Sequence, residues 1–150
     1  MTTWQWRTFQ ELTPNELYEI LALRQAVFGI EQNCLFQDLD FRDQASLHLL
    51  GKDGDKLVTY IRLLPKDLVY QDAVSIGRVV TAKDARGQGL AKAAMRETLL
   101  YLKSNQNNAS IVISAQLYLQ EFYESFGFQA LGEQYDEDGI PHIKMRKEPE

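Results

Sequence analysis

The sequence predicts one mixed α/β (α+β) domain over residues 1–150, built on a mostly antiparallel sheet that contains a single parallel strand pair. Three observations predict it. Short apolar runs and amphipathic segments alternate in the order β-α-β-β-β-α-β-α-β-β. One helix separates two strands by far more than a hairpin allows, so those two strands run parallel. Finally, 150 residues with 45% hydrophobic and 25% charged side chains have an ordinary globular composition and are enough for one self-sufficient core.

Trp4 and Trp6, with Phe9 near the same alternation, predict a short first strand. Thr13-Pro14-Asn15-Glu16 reads as a helix start, with Thr13 as cap, Pro14 in the first turn and Glu16 closing a capping box. Leu17, Ile20, Leu21 and Phe28 follow at helical spacing and carry the helix to about Val27. Residues 29–45 hold Glu31, Asp38, Asp40 and Asp43 without a clean period and read as loop. Strands at about 46–51 and 57–64 flank Lys52-Asp53-Gly54-Asp55, where Asp-Gly favours a tight hairpin. Another strand covers 74–80 and a turn covers 82–87. Leu90, Ala91, Ala94, Met95, Thr98, Leu99 and Leu102 mark one face of the crossover helix, which residues 105–108 break. A buried-looking strand at 109–114 and a helix from about Tyr118 to Phe126, ended by Gly127, come next. Strands near 128–135 and 141–147 then flank Asp136-Glu137-Asp138-Gly139.

Sixteen Lys and Arg against twenty-one Asp and Glu leave a net charge of −5, a poor balance for neutralising nucleic-acid phosphates. The one cysteine, Cys34, has no partner for an internal disulfide, which fits a reducing compartment. Met1-Thr2-Thr3-Trp4-Gln5 lacks the layout of a signal peptide, and no apolar run approaches the ~20 residues of a membrane span. The expectation is a cytoplasmic protein that engages neither membrane nor nucleic acid. Cys34, His48 and His142 are too scattered for a local metal-ligand set, so no metal is expected. There is no Walker A loop and no Gly-x-Ser-x-Gly elbow.

The informative stretch is Val79-Val80-Thr81-Ala82-Lys83-Asp84-Ala85-Arg86-Gly87-Gln88-Gly89-Leu90-Ala91-Lys92, a strand that passes through a two-glycine turn directly into a helix. Glycine lets backbone approach a ligand, and the first N–H groups of a helix point outward as anion donors. Lys83, Arg86, Lys92, Arg96 and Lys103 outweigh Asp84 and Glu97 in this region, in an otherwise acidic chain. A phosphate-bearing ligand accounts for these features; a glycine hinge on an exposed basic helix is the alternative.

Arg86-Gly87-Gln88-Gly89-Leu90-Ala91 resembles the Arg/Gln-x-x-Gly-x-Gly/Ala signature of the GNAT N-acetyltransferase superfamily, where this turn holds the pyrophosphate of acetyl-CoA. Phe122-Tyr123-Glu124-Ser125-Phe126-Gly127-Phe128 is similar to the family's second, aromatic-Tyr-x-x-x-Gly-Phe signature. Residues 26–32, 113–116 and 138–143 resemble the ElaA-like branch, and the likeness covers almost the whole chain. It implies an acyl-CoA N-acyltransferase fold of six to seven strands with helices on both faces, the parallel pair splaying at one end to admit the pantetheine arm.

That resemblance implies acetyl-CoA as cosubstrate, held by Val79, Val80 and Thr81 on the splayed strand and by Arg86, Gly87, Gln88, Gly89, Leu90, Ala91 and Lys92 at the turn. The Val79 N–H would face the thioester oxygen; sheet core is the plain role of Val79 and Val80, and the two are compatible. Gln116 stands where many relatives carry an Asn that bonds pantetheine, or else is simply a polar residue at a helix start. Tyr123 matches the tyrosine that assists the departing thiolate, with aromatic packing beside Phe122 and Phe126 as the alternative. Full proton transfer from a free tyrosine to a thiolate is uphill by about 2 kcal/mol, so a hydrogen bond that strengthens during cleavage is the expected role.

The implied activity is acetyl transfer to a primary amine of a small molecule or peptide, by direct attack in a ternary complex. A non-catalytic acyl-CoA sensor or interaction module on the same fold is the rival. A lysine-like ammonium must lose a proton at a cost of about 4.6 kcal/mol at pH 7. Glu31, Asp40, His48 and His142 are the candidate bases, each with a plain structural role as alternative. The acidic runs Glu31, Asp38, Asp40, Asp43 and Glu133, Asp136, Glu137, Asp138 either border the acceptor groove and attract a cation or are solvated. Exposed strand edges also suggest a homodimer.

Overall fold

Thr13 opens the first helix, α1 (Pro14–Arg24), with a reciprocal cap. Its hydroxyl accepts the Glu16 N–H at 3.0 Å, and the Glu16 carboxylate accepts the Thr13 N–H at 3.0 Å. In the computed structural model, which describes residues 1–106 and 108–149, α1 does not simply stop near Val27. It ends as an α-helix at Arg24 and widens into a π-helical segment, Gln25–Glu31. The stretch expected as loop is thus partly helical, and a 3₁₀ turn, Asp43–Ala45, closes it.

The remaining elements are β1 (Thr2–Thr8), β2 (Leu47–Asp53), β3 (Lys56–Leu64), β4 (Ala73–Thr81), α2 (Leu90–Asn105), β5 (Ser110–Gln116), α3 (Gln120–Glu124), β6 (Gln129–Glu137) and β7 (Ile140–Lys147). The β2–β3 hairpin turns on Gly54 at φ +63°, the left-handed geometry that a tight turn requires. The expected break at 105–108 includes Asn107, which lies outside the described residues; α2 runs to Asn105. The helix expected over 118–126 is shorter. A 3₁₀ turn, Leu117–Leu119, comes first, and α3 covers only five residues.

Among the described residues seven strands join one sheet in the order β1-β2-β3-β4-β5-β7-β6. Every neighbour pair is antiparallel except β4–β5. Side chains alternate between faces, so adjacent strand residues feed different cores. Leu49, Ile61, Leu63, Val74 and Ile76 pack with Ala94, Met95 and Leu102 of α2. Leu50, Tyr60 and Val80 pack with Ile20 of α1. Helices therefore cover both faces. Among the described residues no helix is long and apolar enough to cross a membrane.

One buried polar relay ties the second strand to the loop that follows α1. His48 on β2 is 1% exposed. Its Nε2 lies 2.9 Å from the Asp43 carbonyl, which can only accept, so Nε2 carries the proton. Nδ1 is left to accept from the Tyr60 hydroxyl at 2.6 Å. Burial holds the His48 pKa below its ordinary value, although the Asp43 contacts pull it upward. The unfolded chain therefore binds a proton more readily than the folded one. The contribution of His48 is complete above the free-histidine value of about 6.5 and erodes as pH falls below it. Urea midpoints measured between pH 7.5 and 5 should decline on acidification, and His48→Gln should flatten that slope.

Candidate functional site

Strands β4 and β5 are paired for only two steps, Ala73 with Ser110 and Val74 with Ile111. Beyond them the strands diverge. On its other side β4 carries a bulge: Tyr60 pairs with Val80 and Arg62 with Gly77, which leaves Arg78 and Val79 without register partners on β3. Arg78 adopts φ +49°, a strained conformation for a residue with a side chain. An anchor compensates. Its Nε donates to Asp38 at 2.7 Å and its Nη2 to the Asp38 carbonyl at 3.0 Å.

The divergence opens a groove of about 700 Å³. Val79, Val80 and Thr81 line it, as do Arg86, Gly87, Gly89, Leu90, Ala91 and Lys92 at the head of α2, together with Gln116 and Tyr123. Gly89 precedes α2 at φ +74° with no side-chain cap, and the first helical bond is Ala93 N–H to Gly89 carbonyl at 3.0 Å. The N–H groups of Leu90, Ala91 and Lys92 therefore have no intrahelical partner, as at any helix start. An added Cβ at Gly87 or Gly89 would meet nothing within 4 Å, so backbone angle rather than crowding calls for glycine at both. Gln88 is not part of the lining; it borders a smaller hollow with Lys56 and Asp84.

Two expected ligand-binding side chains are already engaged by consecutive residues. Arg86 makes a bidentate pair with Glu31, at 2.6 and 2.7 Å. That contact raises the arginine pKa and lowers the glutamate pKa. Gln116 exchanges amide hydrogen bonds with Gln32 at 3.2 and 3.3 Å. The segment after α1 thus straps across the groove. Below it, Tyr123 is 7% exposed and packs edge-on against Phe122 and Phe128. Burial, with Tyr118 nearby, pushes its pKa well above the usual tyrosine range. Its hydroxyl makes no hydrogen bond among the described residues.

The four candidate bases separate. Glu31 and His142 line the groove; Asp40 and His48 do not. His48 has both ring nitrogens occupied inside the fold. Asp40 is clamped by Arg62 through two bonds of 2.8 Å. Burial alone would raise the Asp40 pKa, but those bonds and the Arg62 charge hold it at about 2, which leaves a poor proton acceptor at neutral pH.

The three aspartates of the early acidic run are engaged by arginines rather than free to attract cations. Asp38 pairs with Arg24 and Arg78, Asp43 with Arg24 and Arg62, and Asp40 with Arg62 and Arg78. Arg24 is fully buried. This network, missed in the sequence, fixes the loop against β3 and β4. A signal was present: Arg62 stands between Ile61 and Leu63 in a buried strand, and Arg24 continues the buried face of Ile20. Of the late acidic run, Glu137 and Asp138 line the groove, whereas Glu133 and Asp136 do not. No cluster of three or more potential metal ligands occurs among the described residues.

Residues 12–149 match the family model described as an acetyltransferase (GNAT) domain. The chain is 41% identical over 150 residues to Protein ElaA of Escherichia coli K12, covering 99% of this chain and 97% of that one. The crystal structure of Escherichia coli ElaA superposes with a TM-score of 0.91 over 99% of this chain and 100% of its own. An acyl-CoA N-acyltransferase from Pseudomonas aeruginosa is 38% identical, with a TM-score of 0.92, and 98% and 99% of the two chains are covered.

Truncating Asp43 leaves two buried guanidinium groups short of a partner. Asp43→Ala should lower the unfolding free energy by about 3–5 kcal/mol in urea titrations.

Proposed function

Because the chain belongs to the GNAT acetyltransferase family, we propose that it transfers the acetyl group of acetyl-CoA to a primary amine by direct attack in a ternary complex. The observation that carries this reading is the continuity of the groove, from diverging strands to the unpartnered N–H groups at the head of α2. The residues present suit the cosubstrate. Leu90, Ala91 and Lys92 N–H groups, with Arg86, are donors for a diphosphate, and the glycines at φ +81° and +74° let backbone approach it. Backbone of Val79, without register partners on either side, can pair with an extended amide-bearing arm. Acetyl-CoA supplies an activated acyl thioester when bound.

The chain's own contributions are positioning and preorganised donors. The Val79 N–H is a donor for a carbonyl oxygen that gains charge. Tyr123 keeps its proton, since burial disfavours the phenolate, and so serves as a hydrogen-bond donor to a leaving thiolate rather than as a strong acid. A non-catalytic sensor would have no need of a tyrosine hydroxyl lining the groove at this point. Lining by Glu137, Asp138 and His142 supports a cationic acceptor on the β6–β7 side of the groove.

Calorimetry with coenzyme A tests the cofactor half: saturable binding is expected, and no heat from folded protein would overturn the reading. Glu31→Gln, which frees Arg86 and removes a competing anion, should tighten coenzyme A binding several-fold. Tyr123→Phe should lower turnover about 10- to 100-fold, the value of one hydrogen bond to a charged group, with coenzyme A affinity unchanged.

A further inference from the structure

On one wall of the groove, β5, β6 and β7 bring Ser114, Tyr135, Glu137 and His142 together. Strand register explains the meeting. His142 lies opposite Gln116 on one side and Tyr135 on the other, and Glu137 shares the face of Tyr135 two residues further along.

Chemistry fixes the direction of each bond. The Ile140 carbonyl can only accept, so His142 Nδ1, 2.7 Å away, carries the proton of the neutral ring. Nε2 is then a bare lone pair. It faces Glu137 Oε2 at 3.5 Å, which is another acceptor, and no donor stands between them among the described residues. Ser114 donates to the other oxygen, Oε1, at 3.0 Å and so accepts from the Tyr135 hydroxyl. This leaves Oε2 free and holds the carboxylate in place. The His142 side chain is 8% exposed, and its ring stacks on Tyr135 with centroids 6.2 Å apart. On a ring that lines the groove, a nitrogen lone pair beside a carboxylate is complementary to a charged donor with more than one N–H.

We propose that Glu137 Oε2 and His142 Nε2 form the seat for the acceptor's primary ammonium group, and that His142 takes one of its protons. This rests on reading the groove as an acetyl-CoA site. An R–NH₃⁺ group directs one N–H to each acceptor. In the transfer one N–H bond of the ammonium breaks and an Nε2–H bond forms, giving R–NH₂ with a free lone pair and an imidazolium. The positive charge moves to the ring, and no electrons are exchanged with another partner. The imidazolium then lies at ion-pair distance from Glu137, which stabilises it as a carboxylate stabilises a catalytic histidine. Ser114 and Tyr135 act through Glu137 and are positioning residues.

The test uses the full chain with n-butylamine hydrochloride as the smallest lysine-like probe and n-butanol as the uncharged control. The chain has two histidines, so ¹⁵N imidazole signals assign directly, with His48→Gln as reference. Butylammonium, but not butanol, should shift the His142 Nε2 resonance saturably. Glu137→Gln should weaken that response about tenfold, and Glu137→Asp should restore part of it. With acetyl-CoA and butylamine, thiol release should show a KM for the amine raised about tenfold by Glu137→Gln and a kcat lowered about tenfold by His142→Gln, with coenzyme A affinity unchanged by calorimetry.

Failure of coenzyme A to bind would overturn the acetyl-transfer reading and with it the proton step, whereas the amine titration needs no coenzyme A and judges the seat separately. A resonance unmoved by butylammonium, or a Glu137→Gln variant with an unchanged response, would overturn the seat. A shifted resonance without thiol release would overturn the proton step.

Discussion

After Val74 the backbone of β4 leaves β5, and nothing in the sheet replaces the hydrogen bonds that continued pairing would have made. Backbone groups left unpaired inside a fold cost about 1–3 kcal/mol each unless water or a ligand satisfies them. A chain that keeps such a gap needs something to hold it open. The bulge at Arg78 and Val79 turns β4 further along the open edge, and the Arg78 guanidinium is fastened to Asp38. Strain in the arginine backbone, the ion pair and the open gap are parts of one local structure, and the groove follows from it.

The ion network has a second consequence. Three arginines and three aspartates form a nearly neutral block between the loop after α1 and the middle of the sheet. Buried pairs of this kind contribute little net stability over an apolar core, and specificity of arrangement is their better-supported use. Here they define where the loop lies, while their mutual cancellation keeps them from dominating the field in the groove. Outside this network, Lys92 at the head of α2 and Glu137 and Asp138 of the β6–β7 hairpin also line the groove.

Local chemistry was the legible part of the fold. The Thr13 cap, the Gly54 turn, the face of α2 and the glycine turn before it all depend on residues a few positions apart, and the order of strands and helices follows from them. Long-range electrostatics was not legible. Asp38, Asp40 and Asp43 read as loop charge because their partners Arg24, Arg62 and Arg78 lie 14 to 40 residues away, and no local period connects them. The π-helical turn at 25–31 left no mark either, since its first residues read as α-helix and its last as loop. At the groove the same division holds. The backbone-rich end, where glycine and helix start carry the signal, was readable. The contacts of Gln32 with Gln116 and of Ser114 with Glu137, made through loop path and strand register, were not.

Two consecutive residues of the strap, Glu31 and Gln32, engage Arg86 and Gln116, which sit on the turn before α2 and at the end of β5. The strap therefore reaches both banks of the gap with contacts that any ligand for those side chains must replace. Replacement is inexpensive. The Glu31–Arg86 pair is exposed enough for water to screen it, and the Gln32–Gln116 bonds join neutral amides at 3.2 Å or more. Both partners retain water as an alternative when displaced. A buried pair such as Arg24 with Asp43 could not yield in this way. The molecule thus separates the buried ion network along the groove wall from the exchangeable contacts across the opening, so that ligand exchange at the surface leaves the bulge and the gap undisturbed.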